Sequence, residues 1–214
     1  MSPPTRSRLR AHPASLPPSA PSDGTRRRIL ETALQLFASR GYHDTSIRDL
    51  AKVLELQPSA LYAHFSSKEH VLAELVRIGH EAHHDALQAA LKSSGPEPAE
   101  QVRALVRAHT RTHALHPQLA VVVNEELYAL TPELAEPAVV LRDKSAALLA
   151  EVIERGVAQR SFSPPHPRVA AAAISAMGVR LPYWYEPGSA LDVDTLADLH
   201  AELALRMLGG SAVS

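Results

Sequence analysis

Cysteine is absent from the 214 residues, which excludes disulfides and thiolate chemistry. No apolar run approaches the ~20 residues of a membrane span. The N-terminus lacks the apolar stretch of a secretory signal, so a cytoplasmic protein with no membrane partner is expected. No segment alternates apolar and polar residues at period two, so no sheet is expected, and no internal repeat is visible. Acidic residues are nearly missing from the N-terminus, where Asp23 stands alone among Arg6, Arg8, Arg10, Arg26, Arg27 and Arg28. The formal net charge of −1 hides that asymmetry. A near-neutral chain with one basic end suits a local nucleic-acid contact better than wholly basic binding.

What is present is apolar and helical. Hydrophobic residues make up 45% of the chain, enough to fill the core of one large domain or two small ones. Residues 1–24 are rich in Pro, Ser and Arg, with almost nothing to bury, and read as a disordered basic arm. Such an arm either touches phosphate or minor groove, or does nothing specific. From Thr25 to Arg40, Ile29, Ala33, Leu36 and Phe37 recur on one helix face, and Gly41 ends the helix. Arg26 to Arg28 at its start meet either the DNA backbone or only solvent.

The stretch TSIRDLAKVLELQPSALYAHFSSK, Thr45 to Lys68, reads as two short helices and a tight turn before a third helix. Thr45 and Ser46 are N-cap residue types, and Ile47, Leu50 and Ala51 follow at helical spacing. The pattern stops at Leu54-Glu55-Leu56 and restarts at Pro58, which suits a first helical turn. Two helices joined this way make a helix-turn-helix, whose second helix can enter a DNA major groove. On that helix Tyr62 offers a ring and a hydroxyl, and His64 a ring nitrogen for phosphate; otherwise Tyr62 is core. Ser59 can bond to several bases and Ala60 can touch a thymine methyl. Thr45, Ser46 and Arg48, like Lys68 in the next first turn, sit where helix starts meet phosphate.

These pieces, RILETALQLFASRGY, TSIRDLA and LYAHFSSKEHVL, stand in order at the right spacing and resemble the DNA-binding half of TetR-type transcriptional regulators. The resemblance covers about Thr25 to Leu75 and implies the same DNA-contacting residues. It has one departure. The family usually has Gly in the turn, where this chain has Glu55, which then has to sit at positive φ at a cost of roughly 1 kcal/mol. The division expected is an arm at 1–24, a DNA-binding domain at 25–70, and a helical ligand-binding and dimerisation domain at 71–210.

Beyond the head, a helix is expected from Ser67 to about Lys92, with others at Pro98–His116, Pro117–Ala129, Pro132–Gln159 and Pro167–Tyr185. Asp192 caps the last, which ends at Gly209. His80-Glu81-Ala82-His83-His84 matches the zinc-protease pattern H-E-x-x-H. Zinc hydrolysis, a non-catalytic metal site and an ordinary solvated face are the three readings. No third ligand is evident, so the solvated face is preferred, with no catalytic residue, metal or cofactor assigned.

His109, His113 and His116 repeat at helical spacing, and His109 continues the apolar face of Val102, Leu105 and Val106, which suggests a pocket wall or ordinary rim histidines; His80 can approach it if the two helices run antiparallel. Arg180 and Trp184 are expected one turn apart, beside Tyr183 and Tyr185, as an aromatic and cationic seat for a nucleotide. HPQLAVVVNEELYALTPEL and WYEPG look like the body of TetR-type regulators that sense acyl-coenzyme A thioesters. The competing account packs WYEPG at a dimer interface.

The expectation is therefore an all-α, non-enzymatic, dimeric repressor that binds double-stranded DNA at a palindromic operator. A small-molecule effector, with an acyl-coenzyme A thioester the best single guess, would bind among His109, His113, Asn124, Tyr128, Met177, Arg180 and Trp184. Dimerisation is expected through the last two helices, by Ala170, Ile174, Met177, Gly178 and Leu181 on one and Leu196, Leu199 and Leu203 on the other, with Ala173 and Gly178 permitting close approach. A multidrug-type or metal-responsive regulator of the same fold is the alternative, or a zinc hydrolase using His80, Glu81 and His84.

Overall fold

The structure, a computed structural model, describes residues 14–22, 24–186, 188 and 190–209. Arg6, Arg8, Arg10 and Asp23 of the expected arm lie outside the described residues, as does Pro187 of the WYEPG turn. Every regular element among the described residues is helical, as the periodicity requires. The helices are α1 (Gly24–Arg40), α2 (Ile47–Leu54), α3 (Pro58–Tyr62), α4 (Lys68–Ser93), α5 (Pro98–Leu115), α6 (Pro117–Glu125), α7 (Pro132–Ala158), α8 (Pro167–Val179) and α9 (Val193–Met207). Short 3₁₀ turns occur at Leu127–Ala129 and Leu181–Tyr183.

Proline punctuates this order. Pro58, Pro117 and Pro167 open α3, α6 and α8, where the missing N–H would have had no helical partner anyway. Pro182 acts the other way. The expected helix to Tyr185 gives way at Val179 to a 3₁₀ turn, because Pro182 has no N–H to continue the α-helical bonding. Arg180 is therefore the C-cap of α8, and Arg180 and Trp184 do not share a helix face.

The chain forms two compact units. The first comprises residues up to Ala82 together with His116–Val139. Here α1 packs on α2 and α6, burying Ile29, Leu30, Ala33, Leu34 and Phe37 with Leu50, Leu61, Leu72 and Leu75. Gly41, at φ 98°, takes the left-handed turn that ends α1. Residues 14–22 depart from the expectation of an arm with nothing to bury. Leu16 and Ala20 are buried in this unit, and the Leu16 carbonyl accepts a hydrogen bond from Arg27 at 3.3 Å.

The second unit comprises His83–Leu115 and the chain from Val140 onward. Its core gathers Leu87, Val102, Leu105, Val106, Val152, Ile153, Phe162, Ile174, Ala204 and Leu205. Here α5 packs on α8 and α9. Arg103, Arg107 and Arg111 of α5 pair with Glu202, Asp198 and Asp194 of α9. Both sets are spaced one helical turn apart and run in opposite directions, so the rungs fix an antiparallel register. Each rung is partly exposed and contributes only about 0–1 kcal/mol; the buried leucines between them supply the larger share. Asp192 caps α9, its carboxylate accepting from the Asp194 and Thr195 N–H groups at 2.9 Å.

That packing corrects the expected dimer surface. Ala170, Ile174, Gly178, Leu181 and Leu196 face the interior of their own unit, and Met177 is partly buried against the same core. Leu199 and Leu203 remain exposed, with Met207 on the same helix and Val169 on α8. A Cβ on Gly178 would lie 2.3 Å from the His109 ring, so this glycine makes room for a histidine of its own chain.

Candidate functional site

The helix-turn-helix is built by local chemistry. Ser46, not Thr45, caps α2: its hydroxyl accepts from the Asp49 N–H at 3.2 Å, and the Asp49 carboxylate accepts from the Ser46 N–H at 2.8 Å. The two bonds make a reciprocal capping box. The Ser46 hydroxyl and N–H hold the Asp49 carboxyl below the usual carboxylate range. At the other end Glu55 takes φ 57° and ψ 37°, the left-handed conformation that the turn forces on a residue other than glycine. The Leu56 N–H then reaches back to the Ala51 carbonyl at 2.9 Å and closes the turn.

The recognition helix α3 has 5 residues, too few to be stable alone. Leu61 (1% exposed) and Phe65 (5%) anchor it, while Tyr62 (54%) projects outward. Arg26 of α1 holds its far end: one guanidinium nitrogen donates to the His64 carbonyl at 2.9 Å, another to Glu74 at 3.3 Å, and the group lies 4.2 Å over the Phe65 ring. Arg26 is thus a clamp within the head, a role the sequence did not reveal.

The expected DNA-contacting residues divide into two groups. Ser46, Arg48, Ser59 and Tyr62 are exposed, and Ala60 and His64 are half-buried. Lys52, exposed one turn after Arg48 on α2, adds a cation that was not singled out from the sequence. Thr45 and Lys68 are engaged within the head. Thr45 is 1% exposed, and its hydroxyl donates to the Gly41 carbonyl at 2.9 Å. The Lys68 ammonium donates to the Tyr42 and Thr45 carbonyls, each at 2.8 Å, and stands 4.0 Å over the Tyr42 ring. Burial lowers its pKa against the opposing pull of Glu126 and Asp44. Lys68 ties the start of α4 to the loop before α2.

The same unit holds an open groove of about 350 Å³ bordered by Arg26, His64, Phe65, His70, Glu74 and Pro137. None of the expected effector residues lines it. Those residues are distributed over both units. In the first, the Asn124 amide donates to the Ala120 carbonyl of its own helix at 2.7 Å, and Tyr128 is 79% exposed. In the second, the Arg180 guanidinium lies 4.0 Å over the Tyr183 ring, and Trp184, 51% exposed, sits with its ring centroid 6.1 Å from that of Tyr185. His109 and His113 meet His83, with ring centroids 5.1 and 5.4 Å from it.

The His80 cluster is not a free helix face. His80 is 5% exposed and part of the core. Glu81 pairs with Arg77, and the ring nitrogens of His84 meet the Ser145 hydroxyl at 3.0 Å and the Gln88 amide at 2.9 Å. The histidine that approaches His109 is His83, at 2.9 Å, and not the expected His80.

Comparison with known proteins agrees with this architecture. The family model for bacterial regulatory proteins of the tetR family matches residues 29–75, and that for the tetracyclin repressor-like C-terminal domain matches residues 95–208, more than half of the chain. The HTH-type transcriptional repressor KstR2 of Rhodococcus jostii is 28% identical over 184 residues, spanning 85% of this chain and 90% of that protein. The crystal structure of PfmR, a TetR family transcriptional regulator from Thermus thermophilus, is 31% identical with a TM-score of 0.75, covering 87% of this chain and 100% of that one. AibR, solved in complex with isovaleryl coenzyme A and operator DNA, shares the fold at 23% identity and a TM-score of 0.75, over 87% and 99% of the two chains.

Proposed function

The chain belongs to the tetR family of bacterial regulatory proteins, and we propose that it is a dimeric transcriptional repressor released from a palindromic operator by a small molecule. The observation that carries the DNA half is the division of labour on α3. Leu61 and Phe65 bury one side of the helix, and Ser59 and Tyr62 stand outside it. Tyr62 lies outside the buried core, and an outward side chain at this position is what a groove-reading helix presents to the bases. Ser46, Arg48 and Lys52 are exposed on the preceding helix and its cap, where phosphate contacts set the register of a helix-turn-helix on its duplex.

Dimerisation uses α8 and α9 through their outer faces. Leu199, Leu203 and Met207 form an exposed apolar stripe at helical spacing, with Val169 exposed on α8. A dimer places two heads at a fixed spacing, and a ligand that favours another spacing weakens operator binding.

For the effector we favour an acyl-coenzyme A thioester. Arg180 and Tyr183 offer a cation stacked on a ring, and Trp184 an exposed aromatic plate, groups that suit an anionic nucleotide end. Met177, partly buried beside the apolar core of the second unit, is a flexible lining for an acyl chain. The isovaleryl coenzyme A bound by AibR makes this ligand class compatible with the shared fold. The test titrates acyl-coenzyme A compounds, free fatty acids and neutral hydrophobic drugs against the preformed protein–operator complex. Thioesters are expected to release the DNA, with affinity rising by roughly 0.8 kcal/mol per buried methylene until the pocket is full. Arg180→Ala should blunt release and leave DNA binding intact. Release by neutral drugs alone, undiminished in Arg180→Ala, would mean a multidrug-type sensor.

A further inference from the structure

Three imidazoles converge in the second unit, and none of them is among the aromatic and cationic residues assigned to the effector. His83 comes from α4, and His109 and His113 stand one turn apart on α5. Each offers one ring nitrogen, and these nitrogens all lie within 4.8 Å of one another. The ring centroids of His109 and His113 are 4.4 Å apart. We propose that His83, His109 and His113 form a binding site for a divalent transition-metal ion of the zinc class, with a fourth position open to water or a small ligand.

The backbone around the cluster sets the rings up for this role. A carbonyl oxygen only accepts hydrogen bonds, so the ring nitrogen facing one must carry the proton. His109 Nε2 faces the Ser175 carbonyl at 2.9 Å, and His113 Nδ1 faces the His109 carbonyl at 2.8 Å. The lone pairs are thereby left on His109 Nδ1 and His113 Nε2. Ligating histidines are fixed in this way, with the second N–H held by a carbonyl or carboxylate. His83 Nε2 donates to the unprotonated His109 Nδ1 at 2.9 Å. A bound ion replaces that hydrogen bond, and His83 then turns a lone pair inward.

Packing and electrostatics agree. Gly178 leaves the space that the His109 ring occupies, since a Cβ there would lie 2.3 Å from it. Burial holds the His109 pKa below its ordinary value, and a neutral imidazole is the form that binds metal. His83 is only half-buried, so an ion has an entry route and this ring can adjust. Bonds of 2.0–2.1 Å to a tetrahedral ion place ligand nitrogens about 3.3 Å apart. Closing from the observed spread needs small ring rotations. The donors are all imidazole, which suits zinc, copper, nickel or iron and disfavours magnesium and calcium, which take oxygen ligands. The site stands whether or not a thioester is the effector, because it shares no residue with Arg180, Tyr183 and Trp184.

Cobalt(II) tests this on the full-length, tag-free, chelator-treated chain, because a tetrahedral cobalt site absorbs visible light where the hexa-aqua ion scarcely does. One cobalt per chain is expected to bind, to be displaced by zinc, and to raise the melting temperature. His83→Gln replaces a half-buried side chain, so the fold should survive, as checked by circular dichroism. It should weaken binding by more than about a hundredfold, beyond the loss seen when only a ligand's supporting partner is removed, and abolish the thermal shift. His84→Gln, one residue along, should retain both. No cobalt band at stoichiometric excess, unchanged binding in His83→Gln, or an equal loss in His84→Gln would overturn the proposal.

Discussion

The two units differ in where their cations are anchored. In the first, cations are spent on the backbone. Lys68 holds the Tyr42 and Thr45 carbonyls and Arg26 the His64 carbonyl, so a five-residue recognition helix is held firmly while its outer face stays open. In the second, the arginines of α5 pair with the acids of α9, and three imidazoles gather at one place, with His200 buried against Thr110 at 3.0 Å. A head that must present a fixed surface to DNA benefits from rigid internal clamps. A body that responds to a small molecule, as proposed, would benefit from groups whose protonation or ligation can change.

The largest expected effect tests whether the two cores are separate. Phe37→Ala, at a fully buried site in the first unit, should cost about 3–5 kcal/mol, and Leu105→Ala in the second about 2–5 kcal/mol. Trp184 is the only tryptophan and lies in the second unit, so its fluorescence reports that unit's unfolding beside the whole-chain helical signal. If the units unfold separately, Phe37→Ala should shift the helical signal more than the fluorescence. Coincident shifts in both variants would show one cooperative body.

The ends of α2 carry smaller effects of opposite sign. Ser46→Ala removes the cap and should destabilise the head by about 0.5–2 kcal/mol. Glu55→Gly relieves the left-handed conformation and should stabilise it by up to about 1 kcal/mol. Denaturant melts check both, and a loss of stability in Glu55→Gly would mean that the turn tolerates its glutamate without strain.

Acid should weaken the second unit. Burial puts the folded-state pKa values of His109 and His200 below the ordinary 6.5. The unfolded chain therefore takes up protons first. Stability from these groups is complete above pH 6.5 and declines as pH falls through that value. The melting temperature read by Trp184 should drop on acidification through that range, and His109→Gln should reduce the drop. A flat profile between neutral and mildly acidic pH would contradict the assigned burial.

The head was legible because its signals are local. Ser46, the restart at Pro58 and the spacing of Leu61 and Phe65 all act within a few residues of chain, and so did the positive φ forced on Glu55. The stop at Pro182 is equally local, since a proline two residues past Arg180 lacks the N–H the helix needs. The assignments that changed depend on which helices meet. Lys68 sits at a helix start, as a phosphate ligand would, but nothing near it in sequence reveals the Tyr42 carbonyl. Gly178 looked like a dimer contact until His109 proved to fill the space beside it. His83 was masked by its neighbours, because His80 and His84 fit a familiar spacing and His83 gains its meaning only from α5.

The central claim is that the outer face of α3 reads the operator while the second unit does not. Fluorescence anisotropy on a palindromic duplex recovered by the protein from genomic fragments tests it directly, across a salt series. Wild-type binding should weaken steeply as salt rises. Tyr62→Ala should lose about 1–3 kcal/mol of affinity with its melting temperature preserved, and Arg180→Ala should bind the duplex as the wild type does. Full affinity in Tyr62→Ala at every salt concentration would contradict the account.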